Sequence, residues 1–299
     1  MSDERFNKDL CGWLGADEIQ RKHAAEFGRL KSVAPMLFAD AAPTEPVLLY
    51  KAYAQALGQF PNYPAQRIGD CVGFGHGHAH DLLQCVEIGL GQPLVYQETD
   101  TEFIYAASRE VAGILSNTDG SYGSAAVKAM TTLGMVSRPM LGPEGTYSGA
   151  RAKAWGDSGV PPAILSEASP YLLGGAAAVT TWDELVTALS SGYPTTVCCD
   201  QGFTMTRDPQ GFCERKGRWG HCMAFVAVRF DRPGACVLQS WGPDVPDGPV
   251  ALGQPDWSFW IDQATVEAML AEGDSWAISK TPGFEKRQLP PAWRYDEAA

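Results

Sequence analysis

Residues 66–74, which read QRIGDCVGF, decide the fold and the chemistry of this chain. Cys71 follows Asp70, a residue that favours the N-cap position, and small residues then lead into a helical segment at 81–87. A thiol in the first turn of a helix faces unpaired backbone N–H groups and the positive end of the helix dipole, which lower its pKa. The stretch therefore predicts Cys71 as a nucleophile, with Asp70 capping its helix.

A cysteine nucleophile needs a histidine base that folding brings close to it. Outside the Cys71 helix only His23 and His221 are available. His221 opens an apolar run at 221–228 that is typical of a strand, and a rigid strand end would present its ring to another part of the molecule. We therefore predict His221 as the base.

Several segments, taken in chain order, resemble the papain-like cysteine peptidases. Besides 66–74 they are Asp119-Gly120-Ser121, Gly220-His221-Cys222-Met223, Gln239-Ser240-Trp241-Gly242 and the strand-like runs 259–261 and 274–278. The separation of Cys71 and His221, 221 − 71 = 150 residues, is similar to that of papain-type pairs. The resemblance covers roughly residues 60–280. It implies an α+β, papain-like two-lobed fold, with a helical left lobe, a β-rich right lobe and the active site between them.

The resemblance also implies the role of each site residue. Cys71 would attack a peptide or amide carbonyl, His221 would move the proton, and Gln66 would stabilise the oxyanion together with the Cys71 backbone N–H. Gln239 would orient the His221 ring, and Trp241 would shield that contact. The residues implied to support the site or bind substrate are Gly120, Ser121 and Gly220. The implied function is a cysteine peptidase that acts on a peptide or protein substrate through an acyl-enzyme and needs no cofactor or metal.

Three differences from the family's pattern support an alternative function. Gln239 stands where the family has asparagine, Val72 stands where it has tryptophan, and the spacer between Gln66 and Cys71 is one residue shorter than in papain. The alternative is a weak or inactive papain-fold protein with a binding or structural role, for example within a virion or another large complex.

The pattern outside the motifs predicts three regions. Helical spacing at 16–37 and 47–58 predicts that residues 1–59 form a helical N-terminal extension or a propeptide-like segment. Residues 60–280 would form the catalytic domain, and residues 281–299 a surface tail. Within the domain we expect 140–180, rich in Gly, Pro, Ser and Ala, to be an irregular crossing between the lobes. A capping box at Thr181 then predicts a short helix, and short strands follow it.

Charge and composition disfavour several partners. The formal net charge of −12, from 35 acidic and 23 basic side chains, opposes binding to nucleic acid. The first residues, MSDERF, lack the basic and apolar parts of an export signal, and no apolar run approaches the roughly 20 residues of a membrane span. We therefore expect a cytoplasmic protein without a membrane partner, whose eight cysteines stay reduced.

A third hypothesis, metal binding, comes from three histidines in the Cys71 helix. His76 and His80 lie four residues apart next to Asp81, but His78 would point away from them, so we predict no metal site. Glycines alternate with these residues at positions 73, 75 and 77. No strand precedes them and no Lys-Ser/Thr follows, so close helix packing is a better interpretation than a phosphate loop.

Overall fold

Helices and an antiparallel sheet make up the computed structural model, which describes residues 7–40, 44–243 and 245–294. The helices of this part are α1 Glu18–Ala24, α2 Leu30–Val33, α3 Lys51–Leu57, α4 Cys71–Gly89, α5 Thr101–Ala112, α6 Gly123–Thr132, α7 Gly149–Ser158, α8 Pro162–Ala168, α9 Trp182–Ser190 and α10 Gln263–Leu270. The strands are β1 Val47–Leu48, β2 Gly175–Ala178, β3 Thr195–Phe203, β4 Arg215–Arg229, β5 Gly234–Leu238, β6 Ser258–Asp262 and β7 Asp274–Ser279. Helices dominate the first half and strands the second, so the predicted α+β order is confirmed.

The central helix α4 is buried along most of its length and packs closely on both sides. A Cβ at Gly73 would lie 2.3 Å from the carbonyl oxygen of Thr101 in α5, and one at Gly77 would lie 2.8 Å from the same residue's side chain. A Cβ at Gly75 would lie 2.6 Å from Sγ of Cys222 in β4. The glycines therefore let α4 approach α5 on one side and the sheet on the other, which confirms the predicted close packing.

Replacing Gly73 with alanine is expected to lower the free energy of unfolding by about 1 to 3 kcal/mol, since the new methyl group would meet backbone atoms of α5. The better helix propensity of alanine offsets only about 1 kcal/mol. Urea denaturation of the two proteins measures the difference. The matched control is Gly175→Ala in β2, where the nearest atom to the new Cβ is 3.4 Å away. Equal stability of the Gly73→Ala variant and the wild type would contradict this packing.

The sheet is antiparallel, with strand order β2-β7-β3-β4-β5-β6, and β1 adds a short pairing to β4. β4 is its longest strand and pairs with both β3 and β5. The residues of β4 are exposed or half-buried up to Gly220 and buried from His221 onward. The prediction that His221 opens the strand is therefore wrong. His221 lies inside β4, where the strand passes from the solvent into the core, and it is paired with Cys199 of β3.

The expected irregular crossing at 140–180 is wrong. The segment contains α7, α8 and β2. The side chain of Ser148 caps α7 by accepting from the backbone N–H of Arg151 at 3.2 Å, and alanines inside the helix favour it. Pro162 stands in the first turn of α8, where a proline is tolerated. Helix α10 was not predicted either, although Asp262 caps it by accepting from the backbone N–H of Thr265.

Residues before α4 and after β7 pack onto the helices and the sheet. α1 contacts α6, and the side-chain amide of Gln20 donates to the carbonyl of Gly273 at 2.9 Å. β1 pairs with β4 of the sheet, and α3 packs against α4. Near the C-terminus, Trp293 is buried and its indole N–H donates to Gln55 at 2.7 Å. Among the described residues no helix is long and apolar enough to cross a membrane.

Candidate active site

The helix α4, which begins at Cys71, packs against β4, the strand that carries His221. Cys222 lies near enough to the thiol of Cys71 to affect its pKa, and Gly75, one turn along α4, lies against Cys222 and Met223. His221 directly precedes Cys222 in β4. The helix that begins at Cys71 and the strand that carries His221 therefore pack against each other where the first turn of α4 crosses the sheet.

The thiol of Cys71 is held in its neutral form. It is fully buried, and burial is the main reason that its pKa lies well above the ordinary value for cysteine. The thiols of Cys11 and Cys222 lie near enough to raise the pKa further. The backbone N–H of Gly12 donates to Cys71 Sγ at 3.2 Å, and this hydrogen bond lowers the pKa of the thiol. The helix terminus alone therefore does not produce a thiolate in this arrangement.

The imidazole of His221 is also neutral. It is fully buried, and burial lowers its pKa to about 3. Its ring stacks on Trp241 with centroids 4.6 Å apart and an interplanar angle of 24°, which is the neighbour that the resemblance implied. Neither ring nitrogen has a hydrogen-bond partner within the described part of the chain. A buried polar ring without partners is costly, and such groups are common where a site is built for chemistry.

Gln239 does not make the contact expected of it. Its side-chain oxygen accepts from the backbone N–H of Trp241, and its side-chain N–H groups donate to the carbonyls of Gly242, at 3.1 Å, and Val245. The longer glutamine side chain reaches back to its own loop, so its amide does not orient the ring of His221 here. The loop must rearrange before Gln239 can act as the family's asparagine would.

Gln66 lies at the site with its amide occupied. Its side-chain nitrogen donates to the carbonyls of Leu10 at 2.5 Å and Ile68 at 2.9 Å. Its oxygen accepts from the hydroxyl of Ser240, and its backbone N–H donates to the Ser240 carbonyl at 2.8 Å. The donor predicted to hold an oxyanion therefore holds a carbonyl oxygen of the N-terminal region instead.

That carbonyl belongs to residues 10–14, which we call the cleft segment. The backbone N–H of Ser121 donates to the Gly12 carbonyl at 2.8 Å, and that of Leu14 donates to the Ser121 carbonyl at 3.1 Å. The backbone N–H of Trp13 donates to the Gly220 carbonyl at 3.1 Å. The cleft segment therefore passes over Cys71, pairs with Ser121 through an isolated parallel bridge at Trp13, and uses the backbone groups predicted to support substrate.

The cleft segment fits tightly at three glycines. A Cβ at Gly12 would lie 1.9 Å from the carbonyl oxygen of Gly69, in the loop before Cys71, and a Cβ at Gly220 would lie 2.2 Å from the carbonyl oxygen of Trp13. A Cβ at Gly120 would lie 2.9 Å from the Gly12 carbonyl, and φ of Gly120 is +101°. The predicted supporting glycines, 120 and 220, therefore leave room for a backbone against the nucleophile.

Asp274 and the cleft segment are the site residues that sequence reasoning missed. Trp13 is buried, and its indole N–H donates to Asp274 at 2.8 Å. A signal for Asp274 was present, since an acidic residue directly precedes the strand-like run Ser275-Trp276-Ala277-Ile278. No comparable signal marked residues 10–14, because their contacts are made with residues more than 50 positions away.

Asp70 does not cap α4, so that prediction is wrong. It occupies the N-cap position without a side-chain capping bond, and its carboxylate accepts from the Tyr147 hydroxyl at 2.9 Å. Burial first, and then Glu102 and Asp119, raise the pKa of Asp70 well above its usual value. A neutral Asp70 removes a negative charge that would oppose a thiolate on the adjacent residue.

Replacing Asp70 with asparagine is expected to weaken the loss of stability that accompanies rising pH. The pKa of Asp70 is higher in the folded protein than in the unfolded chain, so its contribution is present below the unfolded pKa and is lost as pH rises through the folded pKa. The stability of the variant relative to the wild type should increase by up to about 1.4 kcal/mol per pH unit in that window. Urea denaturation from pH 4 to 8 measures the difference. Parallel pH profiles would contradict an elevated pKa.

The other histidines of α4 make separate contacts. His76 Nδ1 bonds the Val72 carbonyl at 2.8 Å, His78 stacks on Tyr63 with centroids 4.0 Å apart, and His80 bonds Thr99 at 2.8 Å. Over residues 7–40, 44–243 and 245–294, no group of three or more His, Cys, Asp or Glu side chains is arranged to hold a metal ion. The contacts of these histidines are thus structural ones within the helical lobe and its junction with the sheet.

The chain is similar in fold to several solved structures, although their sequences are only distantly similar. No family model matches the chain, and no curated protein matches it. Among solved structures, xylellain, a cysteine protease from Xylella fastidiosa, aligns with a TM-score of 0.66 at 18% identity over 94% of this chain and 100% of its own. Procathepsin B from Trypanosoma congolense aligns with a TM-score of 0.61 at 12% identity, over 92% of this chain and 87% of its own.

A digestive procathepsin L2 from the larval midgut of Tenebrio molitor aligns with a TM-score of 0.56 at 13% identity, over 93% of this chain and 81% of its own. The architecture predicted from the ordered motifs is therefore confirmed over nearly the whole chain. The protein has the papain-like fold, in a divergent form.

Proposed function

We propose that this protein is a cysteine peptidase in a latent form, which cleaves peptide or amide bonds through Cys71 and His221 once the cleft segment leaves. The observation that carries the proposal is the position of the cleft segment. It places an amide N–H on Cys71 and a carbonyl oxygen on Gln66, and its backbone hydrogen-bonds to that of Ser121 in both directions. A groove that binds one peptide backbone against a buried Cys and a buried His is suited to bind another.

Departure of the cleft segment would change the electrostatics of the pair. Burial raises the pKa of Cys71 and lowers that of His221, so water entering the cleft moves both pKa values back toward their ordinary range. A proton can then pass from the thiol to the imidazole, because each charged form stabilises the other and the N-terminus of α4 stabilises the thiolate.

The proposed reaction follows from the freed groups. The Cys71 thiolate attacks the substrate carbonyl, and the Gln66 amide, released from Leu10, donates to the oxyanion together with the Cys71 backbone N–H. His221 gives its proton to the leaving amine. Water, deprotonated by His221, then hydrolyses the thioester and restores the thiol.

The test uses a full-length Gly12→Ala protein, whose added methyl group cannot fit beside the Gly69 carbonyl. Under reducing conditions it is incubated with a fluorogenic peptide-amide library, beside the wild type and a Gly12→Ala, Cys71→Ala double variant. Hydrolysis by Gly12→Ala that the double variant lacks supports the proposal. Absence of hydrolysis of every peptide, while Cys71 is accessible to a small alkylating reagent, counts against it.

That second result would favour the other candidate function, a papain-fold protein used for binding or assembly. The observation in its favour is the engagement of Gln239 with its own loop, which leaves His221 without an orienting partner in the described part of the chain. Such a protein would keep the groove, and with it affinity for an extended peptide, while lacking turnover.

A further inference from the structure

We propose that Cys11 and Cys71 form a reversible disulfide, which ties the cleft segment over the nucleophile when hydrogen peroxide is present and releases it when a thiol reductant is present. Both cysteines are free thiols in this structure. The inference rests on the proposed function, because it names a condition that controls when Cys71 is released for catalysis.

Cys11 is held over Cys71 by the residues on either side of it. The carbonyl of Leu10 accepts from Gln66 at 2.5 Å, and the backbone N–H of Gly12 donates to Cys71 Sγ at 3.2 Å. In a trans peptide the Gly12 N–H lies on the same side as the Cα of Cys11, which places that Cα about 4 Å from Cys71 Sγ. The two Cα atoms are therefore at most about 7 Å apart, and disulfide-bonded pairs span roughly 4.4 to 6.8 Å.

The thiol of Cys11 also lies near that of Cys71, and after burial it is the largest influence that raises the pKa of Cys71. Cys11 is half-buried, whereas the other seven cysteines are buried. Burial raises the pKa of Cys11 to about 12, so neither thiol is ionised while the cleft segment is in place. Oxidation of Cys71 by peroxide therefore requires the cleft segment to leave briefly.

Cys222 is the other thiol near Cys71, but it lies inside the body of the protein. Its Sγ is 3.8 Å from His76 Nδ1, and a Cβ at Gly75 would lie 2.6 Å from the same sulfur. A bond between Cys71 and Cys222 would join α4 to β4 and leave the cleft segment untied. Cys11 is therefore the partner that connects the cleft segment to the nucleophile.

The oxidation takes two steps and consumes one peroxide molecule. While the cleft segment is away, the Cys71 thiolate attacks one oxygen of hydrogen peroxide and becomes a sulfenic acid. The O–O bond breaks, and the hydroxide that leaves takes the proton held by His221. When the segment returns, the sulfur of Cys11 attacks the sulfenic sulfur, the S–O bond breaks, and the hydroxyl leaves as water with the proton of the Cys11 thiol. A dithiol reductant then returns two electrons and two protons and restores both thiols.

The first experiment maps the disulfide and does not need turnover. Full-length wild-type protein is treated with excess hydrogen peroxide at pH 7, cleared of peroxide with catalase, blocked with iodoacetamide, and digested without reductant for mass spectrometry. We expect a linked pair of peptides that contains Cys11 and Cys71, and a loss of Cys71 labelling that dithiothreitol reverses. In Cys11→Ser the linked pair should be absent. The fraction of Cys71 that dithiothreitol recovers should fall at least about 10-fold in that variant, because excess peroxide oxidises an unresolved sulfenic acid irreversibly.

Cys222→Ser is the matched control, since it removes the other nearby thiol, and it should keep the linked pair of Cys11 and Cys71. Gly12→Ala, which moves the cleft segment away, should lower the linked fraction at least about 10-fold although Cys71 becomes more accessible. A thermal melt before oxidation checks that each variant is folded. The proposal is overturned by absence of the linked pair from the wild type, by linkage of Cys71 to Cys222 in place of Cys11, or by equal recovery of Cys71 in Cys11→Ser and the wild type.

The second experiment separates this inference from the proposed function. Hydrolysis of peptide amides by Gly12→Ala in dithiothreitol tests the function without any disulfide. Hydrolysis there, with no linked pair in the oxidised wild type, would overturn the disulfide and leave the proposed function standing. A linked pair in the wild type, with no hydrolysis by Gly12→Ala, would support the disulfide and overturn the proposed function.

Discussion

Replacing His221 with alanine in the Gly12→Ala protein is expected to lower kcat/KM for peptide hydrolysis by at least about 10³-fold. In the proposed reaction the imidazole both takes the proton of Cys71 and returns one to the leaving amine, and water has no comparable fixed position there. Hydrolysis of the most reactive library peptide at pH 7 measures the effect. The pH profile of the remaining activity should also change, since the group that titrates as the base is gone.

His23→Ala in the same background is the matched control. His23 is the other histidine outside α4, is also nearly buried, and lies in α1, where it contacts Glu26. This variant should keep activity within a few-fold of its parent. A His221→Ala protein that is folded and as active as the His23→Ala protein would show that Cys71 does not rely on His221.

Replacing Gly12 with alanine is expected to raise the rate of iodoacetamide labelling of Cys71 at pH 7 on the order of 100-fold. The methyl group would lie 1.9 Å from a backbone oxygen of the loop before α4, and neither partner is a flexible side chain that can turn aside. The cleft segment must therefore move away, and the hydrogen bond from Gly12 to Cys71 is lost with it. Mass spectrometry after short exposure to the reagent locates the label.

Gly175→Ala serves as the control for the substitution itself, because it adds the same methyl group in β2, with nothing nearer than 3.4 Å. Its labelling of Cys71 should equal that of the wild type. Slow labelling of the Gly12→Ala protein, with an unchanged thermal transition, would mean that the cleft segment tolerates the methyl group and is not closed by close contact at Gly12.

Motifs defined by local sequence predicted the parts of the site that a single element carries. Cys71 in the first turn of its helix, His221 in a buried strand beside Trp241, and the backbone groups of Ser121 and Gly220 all lie at one junction. Residue type and local pattern predicted Cys71 and His221, and the resemblance to the papain-like peptidases implied Trp241, Ser121 and Gly220. Each element carries its own residue, and the fold brings the elements together.

Other features depend on competition between distant parts of the chain and could not be predicted in this way. Gln239 hydrogen-bonds to its own loop. Asp70 accepts a hydrogen bond from Tyr147, which lies 77 residues further along the chain, and does not cap its own helix. The cleft segment bonds to Gln66 and Cys71 from 56 and 59 residues away along the chain. Nothing in the local pattern at residues 10–14 shows which surface they will cover.

We propose that Cys71 and His221 form an activated pair once the cleft segment is displaced. The most direct test is the rate of Cys71 alkylation by limiting iodoacetamide from pH 5 to 9 in the Gly12→Ala protein, with and without His221→Ala. A paired thiolate should label Cys71 selectively below pH 7, and His221→Ala should move the rise in rate toward the ordinary thiol pKa near 8.5. An activated pair would be contradicted if the labelling of Cys71 rises only near that pKa in both proteins and is no faster than the labelling of Cys11.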